Sequence, residues 1–137
     1  MNSFHLEILT PERVFYKGES TSLIVPITDG MLGIMANREP VTASLTRGEA
    51  SFIDSNMNKV VFSISGGMLD VENNHVTLLC DYAFLPDEIN LEREQEQVRL
   101  ARKALDSKQS RRDYLVSKLL LNNAINNIKI KEKHTLN

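Results

Sequence analysis

The chain has 137 residues, 42% of them hydrophobic, a single cysteine and a formal net charge of −2. That length suits one ordinary domain or a small domain with an appendage. No apolar run nears the roughly 20 residues of a bilayer-spanning helix, the segment Met1–Glu7 lacks the basic and apolar regions of a secretory signal, and Cys80 alone cannot form an internal disulfide, so a reducing compartment is expected.

Apolar and β-branched runs recur about every ten residues, the spacing of a sandwich or barrel. In chain order they are Phe4–Leu9, Arg13–Tyr16, Leu23–Ile27, Met31–Met35, Thr42–Leu45, Ala50–Ile53, Val60–Ser65, Met68–Val71 and His75–Leu79. Turn chemistry separates them: Thr10-Pro11-Glu12, Lys17-Gly18-Glu19, Thr28-Asp29-Gly30, Asn37–Pro40, Arg47-Gly48, Asp54-Ser55-Asn56, Gly66-Gly67 and Glu72-Asn73-Asn74. Asn, Asp and Gly at such places tolerate positive φ and let the chain reverse tightly. Leu6/Ile8 against His5/Glu7 alternates, as does Met68/Val71 around Leu69/Asp70, so one face is expected to be buried and the other wet. Cys80, after Val76–Leu79, reads as a small buried hydrophobe.

The periodicity changes at Pro86. Asp87 or Asn90 is placed to cap a helix, Glu92, Glu94 and Glu96 suit its positive end, and Arg99, Arg102 and Lys103 suit its negative end. Leu91, Val98, Ala101 and Leu105 make a narrow stripe. Asp106–Ser110 breaks the pattern, and a second helix runs from about Arg111 to Ile130 with a broader stripe: Tyr114, Leu121, Ile125 and Ile128, joined by Leu115, Leu119 and Leu120. Leu119–Leu121 exceeds what the first helix covers, so part of it should face the β module or another chain. The expected fold is α+β, mainly β: a sandwich of about nine or ten short strands over 1–86, then an antiparallel αα-hairpin over 87–137.

Charge divides along the same line. Residues 1–86 carry five basic against ten acidic side chains, and residues 87–137 eleven against eight. Within 99–112 stand Arg99, Arg102, Lys103, Lys108, Arg111 and Arg112 against Asp106 alone. This is either a solvated helix face or a surface that meets an acidic partner.

Catalytic and ligand-binding patterns are missing. His5, His75 and His134 lie far apart with no ligand spacing to Cys80, so no metal is expected. Ser65-Gly66-Gly67 lacks the Gly-x-Ser-x-Gly frame of a nucleophile turn, and paired glycines between strands read as a bulge or tight corner. No Gly-rich loop opens a helix, no two carboxylates stand out for acid–base work, and 6% aromatics without Trp makes a poor stacking platform for nucleic acid. A non-catalytic interaction protein without cofactor is expected. A free-standing sandwich adaptor, whose basic hairpin binds an acidic partner or nucleic acid, is the alternative these residues leave open.

Leu6-Glu7-Ile8-Leu9-Thr10-Pro11-Glu12, the Lys17-Gly18-Glu19 turn, and Val25-Pro26-Ile27-Thr28-Asp29-Gly30-Met31-Leu32-Gly33-Ile34 resemble the opening of the ε subunit of F-type ATP synthases. Ser65–Val71 with Asn74–Leu79 is similar to its Ser-Gly-Gly-Phe-Leu-Glu-Val and Asn-x-Val-Thr-Val-Leu segments, and Ile89–Arg93 sits where that family starts its first helix. The resemblance spans residues 4 to about 130. It implies a subunit of the rotating central stalk, bound to the γ subunit and standing on the membrane c-ring, at the cytoplasmic face of a bacterial cell membrane. It touches the membrane only through the complex. The implied role is mechanical coupling of ion flow to ATP synthesis. The hairpin would fold down on the sandwich, or extend toward the α and β catalytic subunits and obstruct ATP hydrolysis.

Thr28, Asp29, Gly30, Met31, Leu32 and Gly33 are then the expected ring-facing loop, with Met31 and Leu32 as its apolar tip; the alternative is an ordinary hairpin whose glycines serve only the turn. The six basic residues of 99–112 become the regulatory contact. Two departures stand out. Met35-Ala36-Asn37-Arg38-Glu39-Pro40 replaces the usual Pro-Gly-His-Ala-Pro. Of the ATP-binding Ile-Asp-x-x-Arg-Ala motif of some bacterial members, Ile89 and Arg93 remain, whereas Asn90 replaces Asp, Glu94 replaces Ala, and Asn123 and Asn127 stand where arginines would be. Two lost guanidinium groups and one added carboxylate remove several kcal/mol of triphosphate binding, at about 1.5–3 kcal/mol per charged hydrogen bond.

Overall fold

The computed structural model describes residues 2–106 and 110–135, with the Thr135 side chain outside that description. The chain forms two compact units, Met1–Leu85 and Pro86–Asn137. The first is a β-sandwich of ten strands and the second a pair of helices.

The strands are β1 Phe4–Leu9, β2 Val14–Ser20, β3 Leu23–Ile27, β4 Gly30–Ile34, β5 Val41–Leu45, β6 Gly48–Ile53, β7 Lys59–Ile64, β8 Gly67–Glu72, β9 His75–Cys80 and β10 Ala83–Phe84. They follow one another in the order β10-β7-β6-β3-β5-β8-β9-β1-β2, with β4 on β3. The β3–β5 join is a single residue pair, Ile27 with Leu45. At this weak seam the sheet folds over, because both halves carry apolar inward faces that need each other. Leu23, Val25, Phe52, Phe62 and Ile64 from one side share a core with Leu6, Ile8, Leu69, Val76 and Leu78 from the other. Phe15 and Tyr16 on β2 reach across to Phe62 and Phe52, with ring centroids 5.0 and 4.4 Å apart. β1 joins β9 in parallel, pairing His5 with His75.

Several expectations shift. Lys17-Gly18-Glu19 is not a turn: it lies inside β2, with Gly18 opposite Leu6. A Cβ at Gly18 would sit 3.1 Å from the Tyr16 hydroxyl, so the glycine gives room to that ring, whose hydroxyl donates to the Glu19 carbonyl at 2.6 Å. In β8 the inward residues are Leu69 and Val71, and Met68 and Asp70 face out; Met68 with Val71, three apart, cannot share a face of a period-two strand. The tenth strand, β10, lies outside the nine apolar runs of the sequence. It closes the edge of β7, pairing Ala83 with Ile64, and Arg13 Nη2 donates to the Ala83 carbonyl at 2.6 Å.

In the second unit a 3₁₀ turn, Pro86–Glu88, precedes α1, Leu91–Leu105, and α2, Arg111–Thr135. Asn90, not Asp87, is the cap: its Oδ1 accepts from the Arg93 N–H at 3.0 Å. Ser110 caps α2, its Oγ accepting from the Asp113 N–H at 3.2 Å. α2 runs past Ile130 because Lys131, Glu132 and Lys133 are good helix formers and no breaker follows.

Candidate interaction surfaces

The first candidate surface is the β3–β4 hairpin. Pro26 pairs with Met31 and Ile27 with Gly30, so the loop is only Thr28-Asp29, and residues 30–33 are strand rather than loop. Gly30 has φ +133°, a region closed to most side chains, whereas Gly33 has ordinary backbone and open space around it. Met31 is 59% exposed, but Leu32 packs against the core, because alternate strand residues point to opposite faces. The apolar tip is therefore Met31 alone.

The second is on the solvent side of β8 and β9. Met68 and Leu79 are directly paired and each is 52% exposed, beside an open depression of about 400 Å³ bordered by Leu9, Pro11, Gly67 and Cys80. In the sequence each stands beside a buried leucine, Leu69 or Leu78, and so breaks the apolar–polar alternation of its strand; that break is the signal that marks the pair. The Cys80 thiol is buried and donates to the Leu9 carbonyl at 3.7 Å. Burial, then the charge of Asp81, pushes it up to about 11, so it is an unreactive packing group. Ser65 is also structural: its Oγ accepts from the N–H groups of Asp81 and Tyr82 at 2.8 and 3.1 Å.

The third is on the helices. Arg102, Lys103, Arg111 and Arg112 are exposed, Arg99 is exposed and ion-paired with Glu96 one turn back, and Lys108 lies outside the described residues. Next to them Tyr114, Leu115, Val116, Leu119 and Leu120 are all exposed. Tyr114 thus leaves the expected buried stripe. The most deeply buried residues of α2 are Ala124, Asn127 and Ile130. The last turns of α1 carry Arg102 and Lys103 beside Ala101, Ala104 and the half-buried Leu105, while Leu100 is exposed.

The remnant of the nucleotide motif is occupied by the chain itself. Ile89 is buried, Asn90 is used as the α1 cap, and Arg93 is exposed. Asn127 on α2 donates to the half-buried Glu94 carboxylate. Among the described residues no group of three or more His, Cys, Asp or Glu is placed to hold a metal ion, and no helix is long and apolar enough to cross a membrane.

The family described as ATP synthase, Delta/Epsilon chain, beta-sandwich domain matches residues 3–86. The ATP synthase epsilon chain of Caldanaerobacter subterraneus is 33% identical over 132 residues, covering 96% of this chain and 96% of that one. The chain belongs to the ATP synthase epsilon family. The epsilon chain of Natranaerobius thermophilus is 37% identical over 123 residues, covering 89% of this chain and 87% of its own length. In solved structures, a chain of the Euglena gracilis mitochondrial ATP synthase (OSCP/F1/c-ring) has a TM-score of 0.74 at 17% identity, covering 100% of this chain and 83% of that one. A chain of the Tetrahymena thermophila mitochondrial ATP synthase central stalk/c-ring has a TM-score of 0.64 at 13% identity, covering 93% and 95%. At such identities the likeness is one of fold. The epsilon relatives, in contrast, match sandwich and helices together.

Proposed function

We propose that this epsilon chain is a non-catalytic rotor subunit of an F-type ATP synthase, coupling ion flow through the c-ring to rotary ATP synthesis. Its sandwich binds the γ subunit and meets the c-ring through the Thr28–Gly33 hairpin. Its helical unit is a regulatory arm whose basic residues engage the α and β subunits and restrain ATP hydrolysis. The complex sits at the cytoplasmic face of a bacterial membrane, and this chain is peripheral to it. The observation that carries the reading is similarity to epsilon chains across 96% of the sequence, helices included. Exposed apolar residues on both units, Met31, Met68 and Leu79 on one and Leu115, Leu119 and Leu120 on the other, support it, because surfaces of that kind are usually covered in an assembly.

Two measurements test it. The native protein should copurify with γ and the other synthase subunits, whereas a free adaptor would be recovered alone and bind nucleic acid with steep salt dependence. A complex lacking residues 88–137 should retain the sandwich on γ and hydrolyse ATP faster than the intact one. Equal hydrolysis rates would remove the regulatory half of the proposal.

A further inference from the structure

The polypeptide leaves the sandwich through β10, which is only two residues long and pairs with β7, Ala83 with Ile64 and Phe84 with Ser63. So short a strand holds itself poorly. Arg13, 70 positions before Ala83, supplies a second hold. Its guanidinium carbon lies 5.2 Å from the centre of the Phe15 ring and 5.8 Å from that of Phe84, and its Nη2 donates to the Ala83 carbonyl. We propose that Arg13 is a positioning residue for the helical unit: it clamps β10 to the start of β2 and so fixes, at Leu85, the point from which the helices are hung. The inference deepens the regulatory reading of that unit and rests on it.

Both ends of the clamp are themselves held. The Thr10 N–H and hydroxyl donate to the Arg13 carbonyl at 3.0 Å, and the Arg13 N–H donates to that hydroxyl at 3.1 Å. Phe15 is seated on the fully buried Phe62. At the far end Phe84 stacks on Tyr82, ring centres 5.3 Å apart, and the Tyr82 N–H donates to the Ser65 hydroxyl. A flat cation between two rings gains from both, and its rigid fork adds a charge-assisted bond to the carbonyl. An ammonium on a flexible stem lacks the flatness and the fork. Past Leu85 the chain already belongs to the helical unit: Ile89 is buried, its N–H donates to the Pro86 carbonyl at 3.2 Å, and Pro86–Glu88 packs on α2. Leu85 also precedes a proline, which confines it to extended backbone. The tether of the arm is therefore short and fixed upstream. Releasing Arg13 adds Ala83 and Phe84 to it, and a longer tether lowers the effective concentration of the arm at its docking place.

Amide hydrogen exchange on the full chain tests the clamp. Arg13→Met keeps the unbranched stem without the cation. It should speed exchange at residues 82–84 about tenfold and leave β1 and β9 at parent rates, with Arg13→Lys between the two. Phe84→Leu removes the ring from the other side and should act alike, and in the double variant the two losses should not add. The effect on the arm is read in the assembled complex. Arg13→Met should join γ normally and raise ATP hydrolysis toward the rate of a complex lacking residues 88–137. In that truncated complex, whose buried sandwich core lies within Phe4–Ala83, it should change nothing further. Parent-like exchange at 82–84, additive losses, unchanged hydrolysis in the intact complex, or a rise in the truncated one would each overturn the clamp. If truncation alone leaves hydrolysis unchanged, the regulatory reading falls, and exchange decides whether Arg13 fixes β10.

Discussion

Gly67 opens β8 where the backbone of β9 lies against it, and a Cβ there would fall 2.0 Å from the Leu79 carbonyl oxygen and 2.9 Å from the Cys80 Cα. Those are backbone atoms of a paired strand and cannot swing aside as a flexible side chain would. Gly67→Ala should lower stability by about 2–4 kcal/mol, as a steric insertion against fixed backbone, visible as a lower midpoint in urea unfolding with an unchanged slope. Gly66 beside it meets only the Leu45 carbonyl, at 3.4 Å, and the same substitution there should be far milder. Cys80 gives a pH-dependent test at the same scale. Its thiol is raised to about 11 from an ordinary 9.0, so at about pH 8 the reactive thiolate is roughly a hundredfold scarcer in the folded chain than in the unfolded one. Reaction with iodoacetamide should be slower by about the same factor. The thiol's contribution to stability is whole below 9.0 and fades as pH climbs toward 11. The burial of Cys80 was legible in the apolar run before it, but the need for glycine at 67 rather than 66 was not. That need is set by which strand passes beside which residue, and two adjacent glycines look alike in sequence.

Elements were legible where local chemistry and tertiary pairing agree. Phe4–Leu9 and Leu23–Ile27 stand where their apolar runs place them, and Asn73 and Asn74, at φ +49° and +63°, turn β8 into β9 as asparagines readily do. Elements were misread where a partner overrides the local signal: the Lys17-Gly18-Glu19 segment stays extended because β1 pairs with it, and the two-residue β10 has too little sequence to make a pattern. The helices were clear, but the buried side of α2 was not. It is set by what α1 offers, and the first turns of α2 stay exposed although Tyr114, Leu115, Leu119 and Leu120 are apolar. The same pairing bears on nucleotide binding. Glu94 and Asn127 engage each other, so a triphosphate would have to displace that bond and approach a carboxylate, without the two guanidinium groups that would offset the cost. Calorimetric titration of the chain with ATP should show no micromolar binding. A clear micromolar isotherm would mean that Arg93 and the asparagines suffice.

Across the whole molecule, the apolar residues left on the outside separate stability from assembly. Met68 and Leu79 lie on paired strands with their side chains in solvent, and Leu119 and Leu120 lie on an exposed part of α2. Residues that bury little in the free chain contribute little to its folding. Met68→Thr with Leu79→Thr preserves strand propensity, and Leu119→Ser with Leu120→Ser costs only helix propensity, so each double variant should unfold within about 1 kcal/mol of the parent. A partner that covers these surfaces would feel the same changes strongly, since truncating well-packed apolar contacts at an interface centre costs about 2 kcal/mol or more per residue. If the sandwich patch is the seat of the stalk partner, the Met68/Leu79 variant should fold normally and fail to copurify with γ. If the helix patch serves regulation alone, the Leu119/Leu120 variant should assemble normally and leave ATP hydrolysis less restrained. Gel filtration of the reconstituted complex and its hydrolysis rate read the two outcomes independently. Normal assembly and normal restraint in both variants would mean that these surfaces face solvent in the working complex, and that its contacts run through other residues, such as Met31, Leu115 and the basic residues.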